Sequence, residues 1–248
     1  MYETIPLQFR NVEYEMHCVK VLDKNDIKKI YLEKDVGGGK VSIFAHSNPE
    51  ISIFSSGRIM GDDLYAGFEI NETYYNLGKF YMDVYDERIK AEENWASEID
   101  FCGIKLLRIC GAMGLDYYHT NYYSFHDGKP GTFLITSGRG IERDIDNDGK
   151  EEIISSSGGS TSSTFIYKYE KGCIKECHLN PVLDNAIAVF YDENTNNFLA
   201  YYPDGKFKSK RFKYNGEEML LLDMEYRPGQ FQNYLERVKE RLLLKKKE

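Results

Sequence analysis

The sequence is poor in tryptophan, proline and cysteine, and it has no long apolar run. It holds 1 Trp, 6 Pro and 5 Cys among 248 residues. No stretch of 18 apolar residues occurs, so the sequence predicts no transmembrane helix. The first residues, Met1 to Thr4, lack the basic start and the apolar core of a signal peptide. We therefore expect either a cytoplasmic protein or a chain from which a leader is absent.

The chain also lacks an excess of positive charge. Acidic residues outnumber basic ones by 40 to 32, which gives a net charge of −8 and an isoelectric point near 5.3. Proteins that bind nucleic acid normally present a basic face, so we do not expect a nucleic-acid partner. The stretch 230–248 differs, because it carries +3 while the remaining residues carry −11.

The basic stretch 230–248 has the pattern of an amphipathic helix, with apolar residues at steps of three and four. We expect this helix to pack on the body of the protein through its apolar face. A contact between its basic face and an anionic surface is the alternative. The apolar positions are Phe231, Tyr234, Leu235, Val238 and Leu242.

The five cysteines are odd in number and scattered, which excludes a dense disulfide framework. Cys173 and Cys177 have the C-x3-C spacing of a zinc half-site, but no second pair lies nearby. Structural zinc takes about four ligands, so we expect two half-buried thiols here. The other cysteines are Cys18, Cys102 and Cys110.

What is abundant favours β-structure. The chain contains 20 Tyr and 14 Phe, and 42% of its residues are hydrophobic, enough for a core. Short β-rich runs alternate with turn signals such as 126–130, 170–172, 192–197 and 203–205. No long helical pattern alternates with these runs, so we expect antiparallel sheets. The predicted strands are 41–45, 51–54, 106–110, 133–136, 164–169, 186–191 and 198–202.

One further short helix is predicted near the amino terminus. Asn25 and Asp26 have the residue types that cap a helix. Ile27, Ile30 and Tyr31 would then share one face of its first turns. The sequence thus predicts a mainly β protein with short helices near its two ends.

A weak internal repeat runs through the middle of the chain. The order around Ile109 recurs around Ile154, 45 residues later, and the glycine at Gly128 recurs at Gly172, 44 residues later. A shorter third copy covers 198–205. Periods of about 40–50 residues made of short antiparallel strands are typical of propeller blades. We therefore predict a β-rich, propeller-like domain over 1–229, with the best repeat match over about 100–180.

The sharpest motif lies between the two better copies and reads D-x-D-x-D-G-x-x-E. Alternation predicts that Asp144, Asp146 and Asp148 point around one centre, and Gly149 permits the sharp turn. The Lys150 carbonyl and the Glu152 carboxylate would complete the shell. Such a set of hard oxygen ligands suits Ca²⁺ better than Mg²⁺. A solvated hairpin tip is the alternative interpretation.

The motif is not an EF-hand. That loop requires a bidentate glutamate at its twelfth position, which here is Ser155. The residues after the motif are rich in serine and glycine, and 152–154 has the pattern of a strand.

Residues 143–154 resemble the calcium loop of FG-GAP repeats, also called VCBS-like repeats. These occur in the integrin-α-type β-propeller and in bacterial surface proteins, and the arrangement is similar to that of uncharacterised Gram-positive surface lipoproteins. The resemblance implies an acidic loop between two strands, and it implies Ca²⁺ ligation by Asp144, Asp146, Asp148, the Lys150 carbonyl and Glu152. It is specific over about 12 residues, and the preceding copy lacks an acidic loop.

No set of residues in the sequence predicts catalysis. The five histidines lack zinc spacing, and Gly37 to Lys40 departs from the phosphate-binding loop because Val41 follows the lysine, so we interpret it as a flexible turn. Ser160 to Thr164 lacks the G-x-S-x-G elbow of serine hydrolases. The acids Asp83, Asp86 and Glu87 have no spacing that identifies a glycosidase pair.

Two classes of function follow from these patterns. The first is a non-enzymatic, calcium-stabilised domain of a bacterial surface protein that binds a protein or glycan ligand or serves a structural role. The second is a hydrolase that acts on a glycan or peptide through a site built from loops of the same scaffold. Modest calcium loops fill at the Ca²⁺ concentration outside cells, which favours the surface, whereas the cysteines favour the cytoplasm.

Overall fold

The protein is described here from a computed structural model, which covers residues 3–12, 19–47, 64–80, 95–113, 117–157, 162–202 and 208–225. It is mainly β, as the sequence predicts: of the described residues, 69% lie in strands and 4% in helices. All strand pairings whose registers are resolved are antiparallel. In the described part of the chain, no helix is long and apolar enough to cross a membrane.

Four sheets, which we number I to IV, are each built from four consecutive strands that pair in chain order. Three of them gain a short fifth strand from the first residues of the chain. Sheet I contains β4 (Ile27–Val36), β5 (Gly39–His46), β6 (Leu64–Ile70) and β7 (Thr73–Lys79), with β3 (Lys20–Val21) beside β7. Sheet II contains β8 (Ala96–Phe101), β9 (Ile104–Met113), β10 (Tyr117–His126) and β11 (Lys129–Thr136).

The other two sheets follow the same plan. Sheet III contains β12 (Arg139–Arg143), β13 (Glu152–Ser156), β14 (Thr164–Glu170) and β15 (Cys173–His178), with β2 (Arg10–Asn11) beside β15. Sheet IV contains β16 (Ala188–Asp192), β17 (Asn197–Tyr202), β18 (Lys208–Asn215) and β19 (Glu218–Glu225), with β1 (Thr4–Pro6) beside β19. Between β15 and β16 lies a one-turn helix, α1 (Leu179–Val182).

The chain divides into two compact units. The first unit comprises residues 13–140 and contains sheets I and II, and the second comprises residues 1–12 and 141–248 and contains sheet IV and nearly all of sheet III. The amino-terminal strands β1 and β2 therefore pair with strands far along the chain. The sequence predicts one domain over 1–229, and that boundary stays a prediction. The predicted helix over 230–248 lies outside the described residues.

Alternation along the strands buries both faces of sheet I. Val41 and Ile43 on β5 belong to the main core of the first unit, which also includes Phe68 and Trp95. Phe44, which points to the opposite face, packs with a second cluster of tyrosines. On that second face the Ser42 and Tyr74 hydroxyls are hydrogen-bonded. The abundant aromatic residues thus fill both sides of a pleated surface, as β-propensity predicts.

The core of the second unit lies between sheets III and IV. Its buried members include Ile154 and Ile166, which are paired across β13 and β14, and Phe198, Phe212 and Met219 from sheet IV. Burial of apolar side chains of this size contributes about 1.5–3 kcal/mol each. This packing places the β12–β13 loop of sheet III within reach of the turns of sheet IV.

The internal repeat corresponds to equivalent positions in successive sheets. Ile109 and Ile154 are fully buried in the second strands of sheets II and III. Gly128 and Gly172 occupy the turns between the third and fourth strands, with φ of 74° and 81°. The residue before each glycine also has a positive φ, so both hairpins close with the type I′ turn that suits strand twist.

Sheet IV continues the repeat for a third time. Phe198 is buried in its second strand, 44 residues after Ile154. The equivalent turn glycine is Gly216, 44 residues after Gly172, with φ of 69°. The third sequence copy predicts this glycine at Gly205, which lies outside the described residues.

The strands predicted at 41–45, 106–110, 133–136, 164–169 and 198–202 are confirmed, and 188–191 confirms most of the run predicted at 186–191. The predicted strand 51–54 lies outside the described residues. Pro130 is predicted to lie in a turn, but it is the second residue of β11. The edge position of β11 in sheet II explains why a residue without an N–H is tolerated there.

The predicted amino-terminal helix is wrong. A single 3-10 turn, Lys24–Asp26, is capped by Asp23, whose carboxylate accepts the Asn25 N–H at 2.9 Å. Ile27 then begins β4, which pairs with β5 along its whole length. The β-branched and aromatic residues that follow are better accommodated on a pleated strand than in a helix. Capping residues are present as the sequence indicates, but they cap a 3-10 turn that leads into a strand.

Candidate metal centre

The acidic motif forms the connection between β12 and β13, as the sequence predicts. β12 ends at Arg143 and β13 begins at Glu152, so residues 144–151 leave one strand of sheet III and enter the next. Asn147 has φ of 63° and Gly149 has φ of 87°. These left-handed positions fold eight residues into a compact loop, and asparagine and glycine are the residues that adopt them at least cost.

The aspartates hold the loop through hydrogen bonds to its own backbone. The Asp148 N–H donates to Oδ1 of Asp144 and to Oδ1 of Asp146, each at 3.1 Å. The Gly149 N–H donates to Oδ2 of Asp144 at 3.0 Å, and the Lys150 N–H donates to Oδ1 of Asp148 at 2.8 Å. Such contacts are the ordinary use of aspartate in turns, and they fix the directions of the carboxylates.

Three carboxylates converge at this loop. Asp144, Asp146 and Glu152 each supply an oxygen, and these oxygens lie within 4.8 Å of one another. Asp144 and Asp146 are half-buried, while Glu152 is only 3% exposed. Oε2 of Glu152 also accepts the Ile145 N–H at 3.2 Å, which ties the first strand residue of β13 to the loop.

The other two predicted ligands are placed differently. Asp148 is exposed, and one of its oxygens lies 3.8 Å from Nζ of Lys150. It is not among the three converging carboxylates. Lys150 is exposed as well, and ligation by its carbonyl stays a prediction.

Burial and mutual repulsion both oppose ionisation at the centre of the cluster. The pKa of Glu152 is raised to about 7, chiefly because the carboxyl is buried, and the charges of Asp146, Asp148 and Asp144 raise it further. The Ile145 N–H opposes this rise. Burial also raises the pKa of Asp146, and Asp148 and Asp144 contribute in the same direction. A bound cation would reverse both effects.

The β16–β17 turn of sheet IV is hydrogen-bonded to the acidic loop. Nδ2 of Asn196 donates to the Ile145 carbonyl at 3.1 Å, and Oδ1 of Asn196 accepts the Tyr191 hydroxyl at 2.9 Å. Nη1 of Arg143 donates to the Glu193 carbonyl at 2.8 Å. The β16–β17 turn therefore fixes both the entry and the interior of the acidic loop.

The β18–β19 turn of sheet IV also contacts the acidic loop. A Cβ at Gly216 would lie 3.1 Å from Oδ2 of Asp146, so this position favours glycine both for space and for its positive φ. Tyr214, two residues earlier, is 1% exposed. Its pKa is raised by burial first and then by the charges of Glu152 and Asp146.

Sequence reasoning missed Asn196, Tyr214 and Gly216. Each lies far from the motif along the chain and has an ordinary residue type. A signal was nevertheless present for one of them, because Gly216 keeps the 44-residue spacing of Gly128 and Gly172.

The remaining candidates from the sequence give no second centre in the described part of the chain, where the acidic cluster is the one group of three metal-ligating side chains. Cys173 is exposed and Cys177 is buried. The prediction of two half-buried thiols is therefore wrong. Gly37 and Gly38 form the tight turn between β4 and β5, with φ of 58° and 75°. The acids Asp83, Asp86 and Glu87 lie outside the described residues.

Comparisons of the chain with protein-family models, with characterised proteins and with solved structures give no match. The resemblance of residues 143–154 to FG-GAP repeats therefore stays a prediction from the sequence.

Proposed function

We propose that the loop 144–152 binds Ca²⁺ and that the protein is a non-enzymatic calcium-stabilised domain of a bacterial surface protein. The convergence of the Asp144, Asp146 and Glu152 carboxylates carries this proposal. Among the described residues no ion pair joins these three groups to a lysine or arginine. Three acids brought together in this way repel one another, and a cation between them would remove the repulsion.

The chemistry of the donors supports Ca²⁺ over the alternatives. All three converging groups are hard carboxylate oxygens, without the histidine or cysteine that zinc prefers. Ca²⁺ accepts about 6–8 oxygens in flexible geometry, so three carboxylates, a carbonyl and water can fill its shell. Mg²⁺ requires about six in strict octahedral order, which an irregular loop supplies less readily.

The position of the loop supports a structural role for the ion. The proposed ligands of the ion belong to sheet III and its β12–β13 loop. Asn196 and Gly216, which contact this loop, belong to turns of sheet IV. An ion at this place would tighten the contact between two successive sheets of the second unit. Each of the four sheets has the strand order of a propeller blade, and this supports our proposal of a propeller-like array related to FG-GAP repeats.

We further propose that the domain acts outside the cell and offers its surface to a protein or glycan ligand. A modest calcium loop fills at the free Ca²⁺ concentrations of about 10⁻⁴–10⁻³ M at which extracellular modules bind. The hydrolase alternative stays a prediction, and no observation in the described residues favours it.

Titration calorimetry of the chelator-treated protein with Ca²⁺, with Mg²⁺ as the competing ion, tests the site. A ligand that binds only the folded state must stabilise it, by about 2.7 kcal/mol at a free concentration 100-fold above Kd. We expect Asp146→Asn to lose this gain. Glu193→Gln, which removes a similar charge from the neighbouring β16–β17 turn, should keep it. An unchanged melting temperature of the parent in millimolar Ca²⁺ would refute the proposal.

A further inference from the structure

Tyr214 presents a buried polar group that the described structure does not satisfy. Its side chain is 1% exposed on β18, and its hydroxyl has no hydrogen-bond partner among the described residues. Burying a hydroxyl without a partner is unfavourable, and phenylalanine would fill the same space without that cost. A tyrosine at this position therefore needs a reason that lies outside simple packing.

The surroundings of Tyr214 identify the direction from which a partner would come. Tyr214 lies near the end of β18, two residues before Gly216, and belongs to the same buried cluster as Ile145, the residue between Asp144 and Asp146. At Gly216 a Cβ would lie 3.1 Å from Oδ2 of Asp146. Burial raises the pKa of the Tyr214 hydroxyl, and the charges of Glu152 and Asp146 raise it further, which agrees with this placement.

We propose that Tyr214 is a positioning residue of the cation site, whose hydroxyl donates a hydrogen bond to a ligand oxygen when the ion is bound. The inference rests on the proposed function of the loop. A phenol O–H is a donor, and the carboxylates of Glu152 and Asp146 are acceptors once a cation keeps them ionised. This bond fixes the direction of a ligating carboxylate, as outer-shell donors do at many metal sites.

Tyr202 provides a matched control. It lies in the same sheet, is 9% exposed, and its buried hydroxyl likewise has no hydrogen-bond partner among the described residues. The acids that act on Tyr202 are Asp184 and Glu3, which belong to other parts of the unit. Tyr202→Phe therefore removes a similar hydroxyl without touching the acidic loop.

The test compares Ca²⁺ titrations of the parent, Tyr214→Phe and Tyr202→Phe by calorimetry, with the melting temperature of each metal-free protein. We expect Tyr214→Phe to raise the Ca²⁺ Kd about 10-fold, the lower end of the usual effect of losing an outer-shell partner. Its metal-free melting temperature should equal or exceed that of the parent, because an unsatisfied hydroxyl is gone. Tyr202→Phe should leave the Kd unchanged.

The outcomes separate this inference from the proposed function. If the parent does not bind Ca²⁺, the proposed function fails. If the parent binds and Tyr214→Phe binds equally well, only the role of Tyr214 is overturned. A metal-free Tyr214→Phe protein that is destabilised while its Kd is unchanged assigns the hydroxyl a purely structural role, which also overturns it.

A second measurement keeps the test decisive if Tyr214→Phe does not fold. Carbon NMR of the parent, labelled at the tyrosine ζ carbon, reports hydrogen bonding of each hydroxyl. We expect the Tyr214 signal to shift on addition of Ca²⁺ while the Tyr202 signal does not. A Tyr214 signal that stays in place while Ca²⁺ binds would overturn the inference.

Discussion

Glu152 is a buried carboxyl that lies among other acidic groups. It is the first residue of β13, it is 3% exposed, and it lies beside the carboxylates of Asp144 and Asp146. An ionised carboxylate in such surroundings is stable only beside an opposite charge. The contact with the Ile145 N–H at 3.2 Å compensates for a small part of that need. Glu152 therefore gives the most direct test of whether a cation belongs at this site.

We predict that Glu152→Gln keeps the stability of the metal-free fold but loses most of the stabilisation by Ca²⁺. The amide keeps an oxygen for the Ile145 N–H and removes the buried charge, so the metal-free variant should melt at or above the parent temperature. It should lose most of the gain of about 2.7 kcal/mol that the parent shows at 100-fold excess of Ca²⁺ over Kd. Paired thermal scans with and without Ca²⁺ check both halves of this prediction.

Glu193→Gln controls for the loss of one acidic charge near the loop, since Glu193 is exposed on the neighbouring turn. It should melt like the parent in both conditions. A full Ca²⁺ gain in Glu152→Gln would contradict the assignment of Glu152 as a ligand.

At the scale of single elements, the β14–β15 hairpin carries two close ion pairs that share one glutamate. Oε2 of Glu170 lies 2.6 Å from Nζ of Lys175, and Oε1 of Glu170 lies 3.0 Å from Nζ of Lys168. Lys168 also approaches the Phe9 ring at 4.1 Å and Glu217 at 3.3 Å. The hairpin is thereby linked to the amino-terminal segment and to the β18–β19 turn.

We predict an acid-sensitive contribution to stability from Glu170. Hydrogen bonds from Lys175 and Lys168 lower the pKa of Glu170 to about 2, from its usual value of 4.5. A carboxyl whose pKa is depressed in the folded state stabilises it fully above the usual pKa, and that contribution is lost as the pH falls from about 4.5 towards 2. The difference in unfolding free energy between the parent and Glu170→Gln should therefore shrink over that range.

Urea unfolding at a series of pH values measures this difference. Lys175→Met should lose part of the same increment at neutral pH. In the Glu170→Gln background, Lys175→Met should lower the free energy of unfolding by less than it does in the parent, because the two residues share one interaction. A parent-to-variant difference that is constant between pH 7 and 2 would contradict the ion-pair explanation.

Prediction of the elements succeeded where a local pattern decided the outcome. The period-two run at Val41 to Ala45 and the turns at Gly128 and Gly172 could be predicted directly, since alternation and turn-forming residue types are properties of a few consecutive residues. The helix predicted after Asn25 failed because Ile27 and its neighbours pair with β5, a contact that local propensity does not contain.

At the scale of the whole molecule, the acidic loop and all its braces belong to the second unit. The proposed ligands and Asn196, Tyr214 and Gly216 lie between residues 141 and 225, and the first unit has its own core around Val41, Phe68 and Trp95. An ion at this site adds its binding energy to the elements that it touches. Local openings of those elements should become rarer, while openings of other elements depend on their own contacts.

We predict that Ca²⁺ slows amide hydrogen exchange chiefly in residues 141–157 and 188–225. Sheets I and II should change least. Exchange followed by mass spectrometry, with and without Ca²⁺, measures this, and Asp146→Asn serves as the control in which the difference should vanish. Equal protection of the first unit and of the acidic loop would show that the ion acts on the whole chain and would contradict a local role.

The sequence alone determined the fold class, the repeat and the acidic motif. Alternating strands, turn glycines and the D-x-D-x-D-G spacing are local patterns, and local patterns are set by φ, ψ and the direction of neighbouring side chains. The tertiary structure decided which acids converge. It brought Asp144, Asp146 and Glu152 together, left Asp148 exposed, and placed Asn196, Tyr214 and Gly216 against the loop. These contacts depend on how sheet III packs on sheet IV, and spacing along one chain does not encode that packing.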